Sequence, residues 1–132
     1  MKIRQLQLND TRQVIDIWTS SFSRNFNKSL NLDYLNDPSS TTMVVCEGST
    51  IIGVASIHII YKLTRTLGLI EDVAVDKDHR GKGIGKNLVE KLIEIGKQKN
   101  CDKIVLNTSE KNSKFYEKIG FEKNEIQMVI RN

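Results

Sequence analysis

Proline is nearly missing from this chain of 132 residues. The single one, Pro38, follows Asp37 and ends whatever short structure precedes it. Cysteine is scarce too: Cys46 and Cys101 stand alone, in no metal or redox spacing. That excludes a disulfide framework or a zinc module, and both are read as reduced, packed thiols. His58 and His79 are the only histidines and are well separated, so no metal site is expected. Aromatic residues make up only 6%, with no stacking pattern or groove-reading helix. The net charge of +4 and pI near 9.1 therefore argue weakly for nucleic acid and equally well for a small anionic molecule.

Long apolar runs are also missing. Nothing approaches the ~18–20 residues that a membrane span requires, and the opening Met-Lys-Ile-Arg-Gln-Leu alternates like a strand instead of forming a signal core. The expectation is a cytoplasmic protein with no membrane partner and no nucleic-acid partner. With 39% hydrophobic and 27% charged residues, the composition fits one α/β domain over residues 1–132.

The patterns along the chain are short and regular. Ile3, Leu6 and Leu8 suggest a first strand, Asn9-Asp10 a helix cap, and Val14, Ile15, Ile17 and Trp18 the apolar stripe behind it. Ser20 to Ser40 is polar and reads as loop, with a short helix hinted at by Leu30, Leu32, Tyr34 and Leu35; a substrate lip is one use for it. Met43–Glu47 and Ile51–Ile60 form a hairpin through Gly48-Ser49. Lys103–Thr108 is apolar almost throughout, as in a strand buried on both faces beside a parallel neighbour. Asn112–Lys118 reads as a short helix closed by Gly120, and Ile126, Met128 and Ile130 alternate as a final strand.

One stretch, Leu69 to Lys86, carries the chemistry. It begins as an apolar strand holding two adjacent carboxylates, Glu71 and Asp72. It then turns through Gly81, Gly83 and Gly85 among Arg80, Lys82 and Lys86, and enters a helix at Ile84, with Leu88, Val89, Leu92 and Ile93 at helical spacing. Strand, glycine turn and helix N-terminus together make an anion site. The spacing fits neither a P-loop nor the dinucleotide fingerprint: only three residues separate Gly81 from Gly85, and Asn87, not Ser or Thr, follows Lys86.

Arg80-Gly-Lys-Gly83-Ile-Gly85, placed directly after Ile-Glu-Asp-Val-Ala-Val, resembles the GCN5-related N-acetyltransferase (GNAT) superfamily over nearly the whole chain. From Lys62 to Arg131 it is most similar to the glucosamine-6-phosphate N-acetyltransferases. Leu-Gly-Leu, Glu110-Lys-Asn-Ser-Lys-Phe-Tyr-Glu-Lys-Ile-Gly-Phe121 and Gln127-Met-Val-Ile-Arg131 carry that likeness.

The resemblance implies a central, mixed, mostly antiparallel sheet with a splayed parallel strand pair, flanked by helices. It implies acetyl-CoA as co-substrate and no metal. The pantetheine arm would pair with Val73, Ala74 and Val75, and Arg80, Gly81, Lys82, Gly83, Ile84, Gly85 and Lys86 would hold the pyrophosphate. Asn107, Asn112, Phe115 and Tyr116 would complete the cofactor cleft. A bulge near Asp72-Val73 would free the Val73 N–H for the thioester oxygen. Tyr116 would protonate the leaving thiolate, while Glu71, with Asp72 second, would take the proton of the acceptor ammonium.

Lys62, Arg65 and Arg131, together with Glu71 and Asp72, would bind an amino-sugar phosphate. A homodimer sharing the closing strand is also implied, with Arg131 serving the partner's site. Two departures stand out: Asn107 replaces a carboxylate typical of the family, and the connection before Glu71 is shorter by about three residues. Other acceptors (a polyamine, an amino acid, a peptide or a protein N-terminus) and a non-catalytic acetyl-CoA-binding module are the alternatives.

Overall fold

The structure is a computed structural model describing residues 1–26 and 30–132. Strands β1 (Lys2–Gln5), β2 (Ser40–Glu47), β3 (Thr50–Tyr61), β4 (Thr66–Val75) and β5 (Lys103–Leu106) form one sheet in chain order. All neighbours are antiparallel except β4 and β5, which are parallel. That pair needs a crossover, supplied by α2 (Ile84–Gln98), while α1 (Thr11–Phe22) and α3 (Glu110–Ile119) complete the helices.

The two faces of the sheet are covered unequally. On one, α2 lays Ile84, Leu88, Val89 and Leu92 over Met43, Val45, Ile52, Ile57, Ile59 and Ile70. Leu88 and Leu92 are fully buried, each contributing about 1.5–3 kcal/mol of transfer free energy. The helix comes this close because Gly53 has no side chain: a Cβ there would lie 2.8 Å from Ile84 Cγ2. On the other face, α1 places Val14 and Ile17 against Val44, Cys46, Ile51, Val54 and Ala74. Cys46 and Cys101 are unbridged, and no helix among the described residues is long and apolar enough to cross a membrane.

Three sequence expectations change. Asp10 does not cap α1 through its side chain. Its carboxylate instead accepts two bonds from Arg4 (2.6 and 2.9 Å) and one from the Gln7 N–H (2.8 Å), because a charged guanidinium outcompetes a helix amide for a buried carboxylate. The short helix before Pro38 is a single 3-10 stretch, Leu32–Asn36. The lip expected over Ser20–Ser40 also includes residues 27–29, which lie outside the described residues.

The final strand is the larger correction. Among the described residues, the segment 126–130 finds no strand to pair with, and Ile126, Met128 and Ile130 are 85%, 88% and 93% exposed. A strand needs a partner edge to satisfy its backbone, and within one chain this segment finds none.

Candidate active site

The site begins where β4 and β5 part. Their parallel register runs from Leu67↔Lys103 to Ile70↔Leu106 and stops there. β4 continues to Val75, still paired with β3 at Ala74↔Val54 and Val75↔Gly53. Its other edge, from Glu71 onward, no longer has a strand beside it, which is the condition for an extended ligand to add itself to a sheet. Asn107 and Thr108, exposed just beyond β5, stand across the gap.

A bulge marks the mouth of this gap. Val54 pairs with Ala74 and Ser56 with Glu71, so Ala55 faces two residues, Asp72 and Val73. Asp72 is in the left-handed region at φ 57°, a conformation costing a non-glycine residue about 1–2 kcal/mol. The indole N–H of Trp18 donates to the Asp72 carbonyl at 3.0 Å and holds it there. Such a bulge takes one residue out of the ladder, and this one stands at the position expected for freeing the Val73 N–H.

The glycine turn follows. Gly81 and Gly83 adopt φ of 81° and 80°, with open space where a side chain would stand. Gly83 is the N-cap of α2, and Asn87 N–H closes the first helical bond on its carbonyl at 3.0 Å. The amides just inside a helix start have no intrahelical partner, and the helix dipole adds positive potential there. Lys82 and Lys86 are exposed beside them, while Arg80 Nε donates to the Val75 carbonyl at 3.3 Å, folding over the end of β4. This donor set suits the pyrophosphate of a nucleotide carrier.

α3 forms the opposite wall. Ser109 caps it by accepting the Asn112 N–H, which places Asn112 on the first turn. Phe115 lies against the α2 start: a Cβ on Gly85 would sit 3.4 Å from its ring. Tyr116 is half-buried, edge-on to Phe115 (4.9 Å) and Phe121 (6.0 Å), and burial pushes its phenol above the usual value. It is a protonated acid across the neutral range.

Beside the bulge lies a set of polar groups that the sequence pattern did not indicate. Beyond the apolar patch under α1, the same sheet face turns polar: Ser40 and Thr42 on β2 lie opposite His58 and Ser56 on β3, and Glu71 lies opposite Ser56 on β4. Thr42 and Ser56 hydroxyls bond at 2.7 Å, Tyr34 hydroxyl bonds Thr42, and Ser40 Oγ bonds His58 Nδ1 at 3.0 Å. Asp72 keeps solvent contact, yet surrounding protein raises its carboxyl above the ordinary range, with His58 and Arg24 partly opposing that rise. None of Ser40, Thr42, Ser56 and Arg24 was singled out from sequence. The readable signal was Ser56 and His58 at alternate positions inside an otherwise apolar strand.

Lys62 and Arg65 lie at the β3–β4 hairpin tip, where Lys62 N–H bonds the Arg65 carbonyl at 2.9 Å. They are at the far end of β4 from the bulge. Arg131 lies on the unpaired C-terminal segment. The structure thus brings Glu71, Asp72, Val73 and the glycine turn together in one chain, but not Lys62, Arg65 or Arg131 with them. A hollow of about 560 Å³ on the outer side of α2, lined by Glu90, Ile93, Glu94, Lys97 and Ile119, is separate from this cleft.

Comparisons with known proteins agree with this geometry. A family model described as the acetyltransferase (GNAT) family matches residues 11–121. A glucosamine 6-phosphate N-acetyltransferase of Trypanosoma brucei brucei is 48% identical over 94 residues, covering 67% of this chain and 64% of that protein. Another, from Dictyostelium discoideum, is 43% identical over 83 residues, covering 61% of this chain and 53% of that protein. Among solved structures, a Trypanosoma brucei acetyltransferase superposes with a TM-score of 0.89 at 34% identity, over 99% of both chains. A glucosamine-6-phosphate N-acetyltransferase from Arabidopsis thaliana gives 0.88 at 30% identity, over 98% of this chain and 97% of that one.

Proposed function

The chain belongs to the acetyltransferase (GNAT) family, and on that footing we propose that it moves acetyl from acetyl-CoA to the primary amine of glucosamine 6-phosphate. The observation that carries the reading is the gap between β4 and β5, opened beside the Asp72-Val73 bulge and running toward the glycine turn of α2. It offers an unpaired strand edge for the pantetheine arm at Val73, Ala74 and Val75, and an anion cradle for the pyrophosphate at its end.

The reaction is direct attack in a ternary complex. The acceptor ammonium gives a proton to a carboxylate, Glu71 or Asp72, directly or through water. The free amine then adds to the thioester carbon while the Val73 N–H stabilises the developing oxyanion. Collapse breaks the C–S bond, and the departing thiolate takes its proton from Tyr116. The second proton of the attacking nitrogen passes through water to restore the phenol, leaving the neutral amide and a free thiol. Asn107 cannot accept a proton, and in this reading the carboxylates of β4 take the part of the base.

The exposed 126–130 segment supports a homodimer. Its alternating Ile126, Met128 and Ile130 need an apolar surface and a strand edge, and a second copy offers both. Arg131 would then reach the partner's acceptor. We place the enzyme in the cytoplasm. The test is thiol release from acetyl-CoA with glucosamine 6-phosphate, glucosamine, polyamines, amino acids and peptides. A preference for another amine would remove the sugar assignment and leave the transferase.

A further inference from the structure

The basic residues singled out from the sequence pattern leave the anionic end of the acceptor without a holder inside its own protomer. The extended run from Arg65 to Glu71 measures about 20 Å at ~3.3 Å per residue. A hexosamine phosphate spans less than half of that between its nitrogen and its phosphorus. If the amine sits at the Glu71–Val73 bulge, the phosphate falls well short of the hairpin tip that carries Lys62 and Arg65.

Another cation stands on the right side of the bulge. α1 ends at Ser23, in the left-handed region at φ 51°, and the chain turns to present Arg24 and Phe26. The guanidinium of Arg24 lies over the Phe26 ring, 5.2 Å from its centre. Phe26 in turn packs on Trp18 (6.1 Å), whose indole bonds the Asp72 carbonyl at 3.0 Å. An unbroken chain of contacts thus ties Arg24 to the bulge, and its charge is felt by the Asp72 carboxyl. A cation over an aromatic ring keeps N–H donors of its guanidinium for other partners, and their fork matches a phosphate.

We propose that Arg24 is a specificity-determining residue, receiving the acceptor's phosphate while the carboxylates of the bulge meet its amine. The pairing has a simple electrostatic logic. Arg24 and Asp72 carry opposite charges, and an acceptor carrying both an ammonium and a phosphate would satisfy each of them with its opposite. An acceptor with an amine alone leaves Arg24 unanswered. This inference rests on the amino-sugar phosphate reading, and it adds a contact from within the chain to any made by a partner protomer.

The test compares wild type, Arg24→Gln and Arg24→Lys, each checked for native melting, with glucosamine 6-phosphate and with unphosphorylated glucosamine. Losing a charge-assisted phosphate contact should lower the kcat/KM ratio between the two sugars by about 10–100-fold in Arg24→Gln. The loss should appear in KM for the phosphorylated sugar, with KM for acetyl-CoA unmoved. Arg24→Lys should keep an intermediate ratio. A wild-type preference for the phosphorylated sugar that survives intact in Arg24→Gln overturns the proposal and leaves the acceptor reading standing. If wild type shows no such preference, that reading fails, and glucose 6-phosphate binding to the CoA-loaded protein decides the matter for Arg24. Binding lost in Arg24→Gln supports the proposal; binding absent, or equal in both proteins, ends it.

Discussion

The indole N–H of Trp18 on α1 donates to the carbonyl oxygen of Asp72 on β4 over 3.0 Å. One bond thus ties the helix on the acceptor side to the residue that bends β4 away from a regular ladder. Asp72 carries φ 57°, so the bond offsets part of a real backbone cost. Trp18→Phe keeps most of the ring and removes the donor. The expected outcome is a loss of about 1 kcal/mol in stability, read as a lower melting temperature. Turnover should fall with it if the Val73 N–H is the oxyanion donor, because its release depends on the same bulge. A variant that melts lower but turns over normally would separate the bulge from the chemistry.

Tyr116→Phe should lower kcat by about 10²–10⁴-fold if the phenol protonates the thiolate. The ring packs between Phe115 and Phe121, so the fold should survive and melting should change little. Burial raises this phenol, so the alkaline loss of wild-type activity should begin above the ordinary tyrosine range. A fall of less than tenfold would return Tyr116 to a packing role.

Asp72 predicts opposite signs for stability and activity. Its carboxyl keeps solvent contact, yet the protein around it holds it above the ordinary range, so the folded state favours the protonated form, by less than a buried group would. Its contribution to stability is therefore fully present below the unfolded carboxylate value and is lost as pH rises through the raised folded value. As a base it works only when ionised, so the acid limb of kcat/KM should lie above the ordinary carboxylate range. Asp72→Asn should gain stability at neutral pH, measured by thermal melting, while losing activity together with that limb. A variant that retains the limb would pass the base role to Glu71.

The Arg4–Asp10 pair makes the converse prediction. Asp10 is held below the usual carboxylate range, chiefly by its bonds to Arg4, with the Gln7 N–H adding to them. A depressed carboxylate adds stability above its unfolded value, and that stability disappears as pH falls through the lower folded value. Asp10→Asn should cost about 2 kcal/mol at neutral pH, and denaturant melts should show the difference from wild type vanishing in acid.

Met128→Glu should separate the proposed dimer into folded monomers, seen by light scattering, since Met128 is 88% exposed in the single chain. Unchanged mass for both proteins would remove the shared-strand reading.

The legible parts of this molecule were local. Ile84, Leu88, Val89 and Leu92 announce α2 because helical spacing is set within a few residues, and all four are buried. Gly81 and Gly83 announce the anion turn because their left-handed φ is a property of the turn itself. Ser40, Thr42, Ser56 and His58 stayed illegible as a polar strip, because their meeting depends on the register between β2 and β3. The final strand was read from true alternation at Ile126, Met128 and Ile130, but alternation supplies no partner edge. Arg24 looked like one surface charge among many until the turn after α1 set it over Phe26 beside the bulge.

By itself the amino-acid order determined the half of the site that we propose for the cofactor, since a strand, a glycine turn and a helix start are contiguous and suit an anion. What meets the cofactor was decided by tertiary structure. The parting of β4 from β5 after Ile70 and Leu106 and the bulge that sets Asp72 against Trp18 both join segments distant along the chain. Non-local pairing, which no local spacing encodes, positions those groups.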